Sequence, residues 1–292
     1  MAEKEIDEPT GTETTGHAWD GIKELNNPLP RWWLIVFWVT VVWSIGYWVL
    51  MPAWPGLPGI GGYTKGVRDH SERANVTEAV AALDAQRADD TRRLLAAPDM
   101  QAIENDPDLQ AFALAAGESL FGDNCATCHG AGGQGFKGYP NLNDDSWLWG
   151  GQLEEIRQTL RYGIRSGHEN AHLSIMQAFG SDGLLPRETV DDLVHYVRGL
   201  SGQEHDGTAA ERAAPVFQAQ CAQCHGSDGK GDQSQGAPNL TDPIWLYGGD
   251  AMTIRETLWN GRGGVMPAWE ERLSEEEILA LAVYVHSLGG GE

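Results

Sequence analysis

Much of the second half of this chain occurs twice. CATCHG at 125–130 matches CAQCHG at 221–226, and YPNL at 139–142 matches APNL at 237–240. WLWGG at 147–151 matches WLYGG at 245–249, and IRQTLRYG at 156–163 matches IRETLWNG at 254–261. MQAF at 176–179 matches MPAW at 266–269, and LVHYVRGL at 193–200 matches LAVYVHSL at 281–288. The offset is 96 residues at the Cys pairs, 98 at the middle motifs and 90 at the Met, so the first copy carries about eight extra residues near 166–173. Two copies are too few for a solenoid and imply a tandem of similar domains, 108–202 and 207–292. Each copy is predicted to be all-helical. A first helix leads to the Cys motif (Leu109–Asp123; Thr208–Gln220). A middle helix follows the Trp-Gly-Gly segment (Leu153–Ile164; Ala251–Asn260), and a last helix starts after Pro186 or Ser274. In the last helix Val190, Leu193, Val194 and Val197 recur at helical spacing, and no strand period is evident.

The repeated Cys-x-x-Cys-His motif is the attachment signature of c-type haem. Two thiols add to the two vinyl groups of the porphyrin, and the adjacent His lies beneath the iron. Cys125, Cys128 and His129 are therefore predicted to hold one haem c, and Cys221, Cys224 and His225 the other. A zinc site needs more ligands at zinc spacing, and the chain has only these 4 Cys. A redox dithiol calls for a βαβ context. Porphyrin also compensates for the thin apolar core of domains this small. The second axial ligand should lie downstream in each domain. Met176 and Met266 align with each other and are assigned as the distal ligands, whereas Met252 aligns with Glu154 and is read as a packing residue. His168 and His172, in the extra segment, are rivals to Met176; His195 and His286 are unmatched and read as surface or core residues. His/Met ligation fills both axial positions, so the pattern describes an electron relay with no catalytic residues of its own.

Residues 32–51 are 20 residues without a charge, flanked by Arg31 on one side and by Pro52 and Pro55 on the other. At about 1.5 Å per residue such a helix spans the roughly 30 Å of a hydrocarbon core. Trp32, Trp33, Trp48 and Trp54 suit the two interfacial belts. The polar, acid-rich residues 1–30 ahead of it favour a retained anchor at 31–51 over a cleaved signal peptide. Positive-inside counting ties and leaves orientation open. Thr40, Ser44 and Tyr47 share one helix face, which is read as a contact with neighbouring membrane helices; the alternative is hydroxyls bonded to their own backbone. Residues 52–107 form a linker with a turn-rich exit at 57–66 and an amphipathic helix at Asn75–Ala97. The formal net charge of −22 excludes a binder of nucleic-acid backbone.

Both copies resemble class I cytochrome c. Gly117 and Phe121 look like the first-helix pair that packs on the last helix, here near Tyr196; the second copy has Ala213, Phe217 and Tyr284. Pro140 and Pro238 are similar to the proline whose carbonyl accepts a hydrogen bond from the haem His. The distal pattern is complete in MPAW and departs at Gln177 in MQAF. The stretch TTGHAWDGIKELNNPLPRWW at 14–33, then one membrane helix, then two CxxCH domains, resembles subunit III, the di-haem subunit of cbb3-type cytochrome c oxidases. That resemblance implies electron transfer from a soluble or anchored cytochrome c donor to the mono-haem c subunit and on to the catalytic haem–copper subunit. It also implies a single pass through a bacterial inner membrane, with the haem domains periplasmic. A stand-alone membrane-anchored di-haem carrier similar to cytochrome c4 is the alternative. A di-haem peroxidase would need an open axial position, which the aligned Met residues oppose.

Overall fold

The computed structural model describes residues 4–56 and 62–291 and divides into two compact units, Met1–Gln86 and Arg87–Glu292. The first unit begins with a hairpin in which β1 (Thr14–Trp19) pairs antiparallel with β2 (Ile22–Leu25). Asp20 and Gly21 join them with φ of 52° and 84°. Two successive positive φ values make the type I′ turn whose twist matches the strands. Among the described residues this two-stranded sheet is the exception to an otherwise helical fold.

Helix α1 (Arg31–Leu50) coincides with the expected anchor and is long and apolar enough to cross a membrane. None of its side chains is buried by protein, so its apolar surface calls for lipid or neighbouring helices. The Thr40 hydroxyl donates to the Phe37 carbonyl at 2.7 Å, and that of Ser44 to the Thr40 carbonyl at 2.8 Å. Two hydroxyls of the expected contact stripe thus bond their own helix, whereas the Tyr47 hydroxyl makes no such bond among the described residues. The chain returns to the end of α1, where the Val67 and Arg68 N–H groups donate to the carbonyls of Val49 and Leu50. The exit expected at 57–66 lies partly outside the described residues. Helix α2 (Glu72–Leu95) has Glu72 in its first turn and Arg92 and Arg93 in its last, as the helix dipole favours.

In the second unit, Asp99 caps the short α3 (Met100–Asn105), which falls in the expected linker and was not anticipated. Asp106 accepts from the Asp108 and Leu109 N–H groups and, with Pro107 at the first position, starts α4 (Pro107–Asn124). The α5 turn (Ala126–His129) and α6 (Leu153–Tyr162) follow, then α7 (Arg187–Leu200). The second copy supplies α8 (Gly207–Gln220), the α9 turn (Ala222–His225), α10 (Ala251–Asn260) and α11 (Glu275–Ser287). Asp206 and Asp250 cap α8 and α10, and the Glu277 carboxylate accepts the Ser274 N–H at the start of α11.

The copies do not pack as separate units, because their last helices are exchanged. One core joins α4 and α6 of the first copy to α11 of the second, with Leu94, Met100 and Ile103 added from the end of α2 and from α3. The other joins α7 of the first copy to α8 and α10 of the second. Gly117 and Phe121 therefore meet Tyr284, not Tyr196 as their order in the chain suggested. Phe121 and Tyr284 have centroids 5.4 Å apart, while Tyr196 lies 4.7 Å from Phe217. A Cβ on Gly117 would stand 2.5 Å from the Ala280 carbonyl oxygen, so this close helix crossing requires glycine.

The exchange has identifiable causes. In α11, Ile278 to Val283 are all buried, a helix apolar on nearly every side that needs α3 as well as α4 and α6 for cover. Helix α7 is amphipathic, and its Asp191 and Asp192 pair with Arg255 and Arg212 of the second copy at 2.5 Å each. The first copy has Ala116 where the second has Arg212, so Asp192 would lose that partner without the exchange. Arg157 on α6 pairs with Glu275 at 2.5 Å; the matching position of α7 is Arg187, a like charge. Such pairs contribute only about 0–1 kcal/mol each, but they discriminate between two otherwise similar packings.

Candidate haem-binding sites

Each CxxCH motif lies on one helical turn. The His129 N–H donates to the Cys125 carbonyl, and that of His225 to the Cys221 carbonyl, at 2.9 Å in both. Residues three and four apart share a helix face, so both thiols and the imidazole of each motif address the same space. Tight glycine loops then bring a proline carbonyl beneath each ring. A Cβ on Gly135 or Gly231 would lie 2.5 or 2.4 Å from the Tyr139 or Ala237 carbonyl oxygen. The Nδ1 atoms of His129 and His225 are 3.1 Å from the carbonyl oxygens of Pro140 and Pro238. A carbonyl only accepts, so Nδ1 carries the proton and Nε2 keeps its lone pair for a metal. Burial lowers both histidine pKa values, which favours the neutral, ligating form.

Burial, followed by the neighbouring thiol, pushes Cys125 and Cys221 up to about 11. A reactive dithiol needs the opposite shift, so these two buried thiols do not have the environment of a redox-cycling pair. Both motifs open on one cavity of about 1170 Å³ that also exposes Met176 and Met266. This exceeds the roughly 300–1,000 Å³ of a single ligand pocket. Met266 packs against the core that contains Cys125, and Met176 against the core that contains Cys221. The exchange of helices thus carries each distal loop to the other copy. The backbones of Ile164 and Met266 exchange two hydrogen bonds of 3.0 Å, and those of Met176 and Arg262 two of 3.0 and 3.1 Å.

The rival histidines are engaged elsewhere, and neither lines the cavity. His168 lies 2.8 Å from Glu270 and stacks on Tyr162. His172 lies 3.2 Å from the Thr159 hydroxyl and stacks on Trp149 at 4.1 Å. Met252 is 79% exposed, as a residue without a ligand role can be. His195 accepts the Asp206 N–H, and His286 pairs with Glu104.

Sequence reasoning aligned the Trp-Gly-Gly segments without giving them a role. The indole N–H groups of Trp147, Trp149 and Trp245 are buried without a hydrogen-bond partner, and all three residues line the cavity. An orphaned buried donor costs about 1–3 kcal/mol, so a carboxylate-bearing group in the cavity would satisfy them. Haem, with two propionates, fits the thiols, imidazoles, thioethers and unpaired indoles together.

Helical repeats around a cavity with two CxxCH turns define a cytochrome c-type fold in two copies. Residues 11–58 match the model of the N-terminal domain of cytochrome oxidase-cbb3, FixP, and residues 112–197 and 208–285 match that of cytochrome c oxidase, cbb3-type, subunit III. The chain is 54% identical over 289 residues to a cbb3-type cytochrome c oxidase subunit FixP of Bradyrhizobium sp. (strain ORS 278), covering 99% of this chain and 98% of that one. It is 50% identical over 285 residues to the subunit CcoP of Cereibacter sphaeroides, covering 97% of each chain. It is 46% identical over 301 residues to the CcoP of Azospirillum brasilense, over the full length of both. The chain belongs to the family of subunit III of cbb3-type cytochrome c oxidases.

Proposed function

We propose that the chain is a membrane-anchored di-haem c subunit that carries electrons into a cbb3-type oxidase and has no catalytic centre of its own. One haem c would be held covalently by Cys125 and Cys128, with His129 and Met266 as its iron ligands. The other would be held by Cys221 and Cys224, with His225 and Met176. Haem c bound in this way supplies one-electron redox chemistry with both axial positions filled. The protein's part is orientation. Pro140 and Pro238 fix the imidazoles, and the unpaired indoles of Trp147, Trp149 and Trp245 would be available to donate to haem propionates. The observation that carries this reading is the shared cavity, lined by Cys125, Cys221 and Cys224, by both imidazoles and both methionines, beside unpaired indole donors; Cys128 of the first motif is exposed.

The donor is a soluble or anchored cytochrome c. The acceptors are the mono-haem c subunit and, beyond it, the haem–copper subunit of the complex. Helix α1 anchors the chain in a bacterial inner membrane, and residues beyond Met51 are periplasmic, where haem c is attached. Mass measurement with haem staining of a denaturing gel should report two haems per chain, and one in a Cys221→Ala/Cys224→Ala variant. Protease added to spheroplasts should remove the haem-staining part. Haem lost on denaturation would refute covalent attachment, and protection from protease would reverse the orientation.

A further inference from the structure

Arg165 stands where the chain crosses from one core to the other. Its backbone has φ of 51°, in the left-handed region that favours glycine. A large side chain held there points to a constraint from its surroundings. The guanidinium supplies one: Nε donates to the Gly264 carbonyl at 2.5 Å, and Nη1 donates to the Ser174 carbonyl. Ser174 is two residues before Met176, and Gly264 is two residues before Met266. One cation thus bonds the same position of both distal loops. Its own counterpart in the second copy is Gly263, so the two loops share a single strap. Arg165 also lines the common cavity.

We propose that Arg165 is a positioning residue for both axial methionines, holding the Met176 and Met266 loops at a common height over their haems. The planar fork matters more than the charge, because two carbonyls at fixed separation must be met together. Lysine, with one flexible ammonium, keeps the charge and gives up the fixed reach. The proposal rests on the reading of Met176 and Met266 as distal ligands.

The test uses the full-length haem-loaded chain in detergent and follows the Met–iron charge-transfer absorption of the oxidised protein as pH is raised. Met176→His and Met266→His, each alone, separate the two contributions. Arg165→Met, introduced into each of those variants, should move the alkaline loss of the remaining Met–iron band to lower pH by about one unit, a tenfold change in Met retention. Arg165→Lys should give an intermediate shift at both haems, and it serves if Arg165→Met does not fold. A shift at only one haem, or at neither, overturns the proposal. If the Met→His variants themselves leave the bands intact, the ligand assignment has failed, independently of Arg165.

Discussion

The exchanged packing predicts which aromatic residues are energetically coupled. Phe121 is 1% exposed and faces Tyr284 with ring planes at 51°, a tilted contact of the kind aromatic pairs favour. Phe121→Leu and Tyr284→Leu should each destabilise the chain, since a Phe→Ala change at a buried site costs about 3–5 kcal/mol and leucine retains part of that volume. The double variant should lose less than the two single losses combined, by the roughly 0.5–1.5 kcal/mol of an aromatic pair. Phe121→Leu with Tyr196→Leu should be additive within about 0.3–0.5 kcal/mol, because those residues belong to different cores. Urea unfolding of the haem-loaded chain, followed by haem absorbance, measures all the variants. Coupling of Phe121 to Tyr196, with additivity towards Tyr284, would show that each copy keeps its own last helix and would refute the exchange.

Other outcomes follow from single sites. Gly117→Ala should part α4 from α11 and destabilise by about 1–3 kcal/mol in the same urea assay, despite alanine's better helix propensity. His172 is held below its ordinary 6.5 by burial and then by the charge of Arg165, so the unfolded chain binds more protons than the folded one as pH falls. The urea midpoint should accordingly drop between pH 7.5 and 5.5, and His172→Gln should flatten that drop. Residues 52–292 carry 17 basic and 35 acidic side chains, a net of −18. Stopped-flow reduction by a basic cytochrome c should therefore slow steeply between low and physiological salt, as the screening length shortens to about 8 Å.

The two CxxCH turns, the methionines that line the cavity, the long apolar helix and the helices of both copies were legible because each depends on local spacing. The exchange was not. Both copies carry the same apolar pattern, so Phe121 fits Tyr196 or Tyr284 equally well on paper. The choice rests on Ala116 against Arg212, Arg187 against Glu275, and the all-round apolar surface of α11. These differences acquire meaning only when the partner surfaces are seen together. Helix α3 was missed because six residues between prolines leave little room for a periodic signal. The hairpin had a readable cue in Asp20-Gly21, but its exposed strands lack the alternation that marks a half-buried sheet. Arg165 gave no signal, since its role depends on two loops that meet only after the chain has crossed.

The exchanged packing places Met266 against the Cys125 core and Met176 against the Cys221 core, so each proposed haem should take its methionine from the other copy. A Cys221→Ala/Cys224→Ala chain should retain a single covalent haem on Cys125 and Cys128, whose Met–iron charge-transfer absorption would then report that haem alone. Met266→His in this background should abolish the absorption, while Met176→His should leave it intact. The reverse result, loss with Met176→His and retention with Met266→His, would contradict the account.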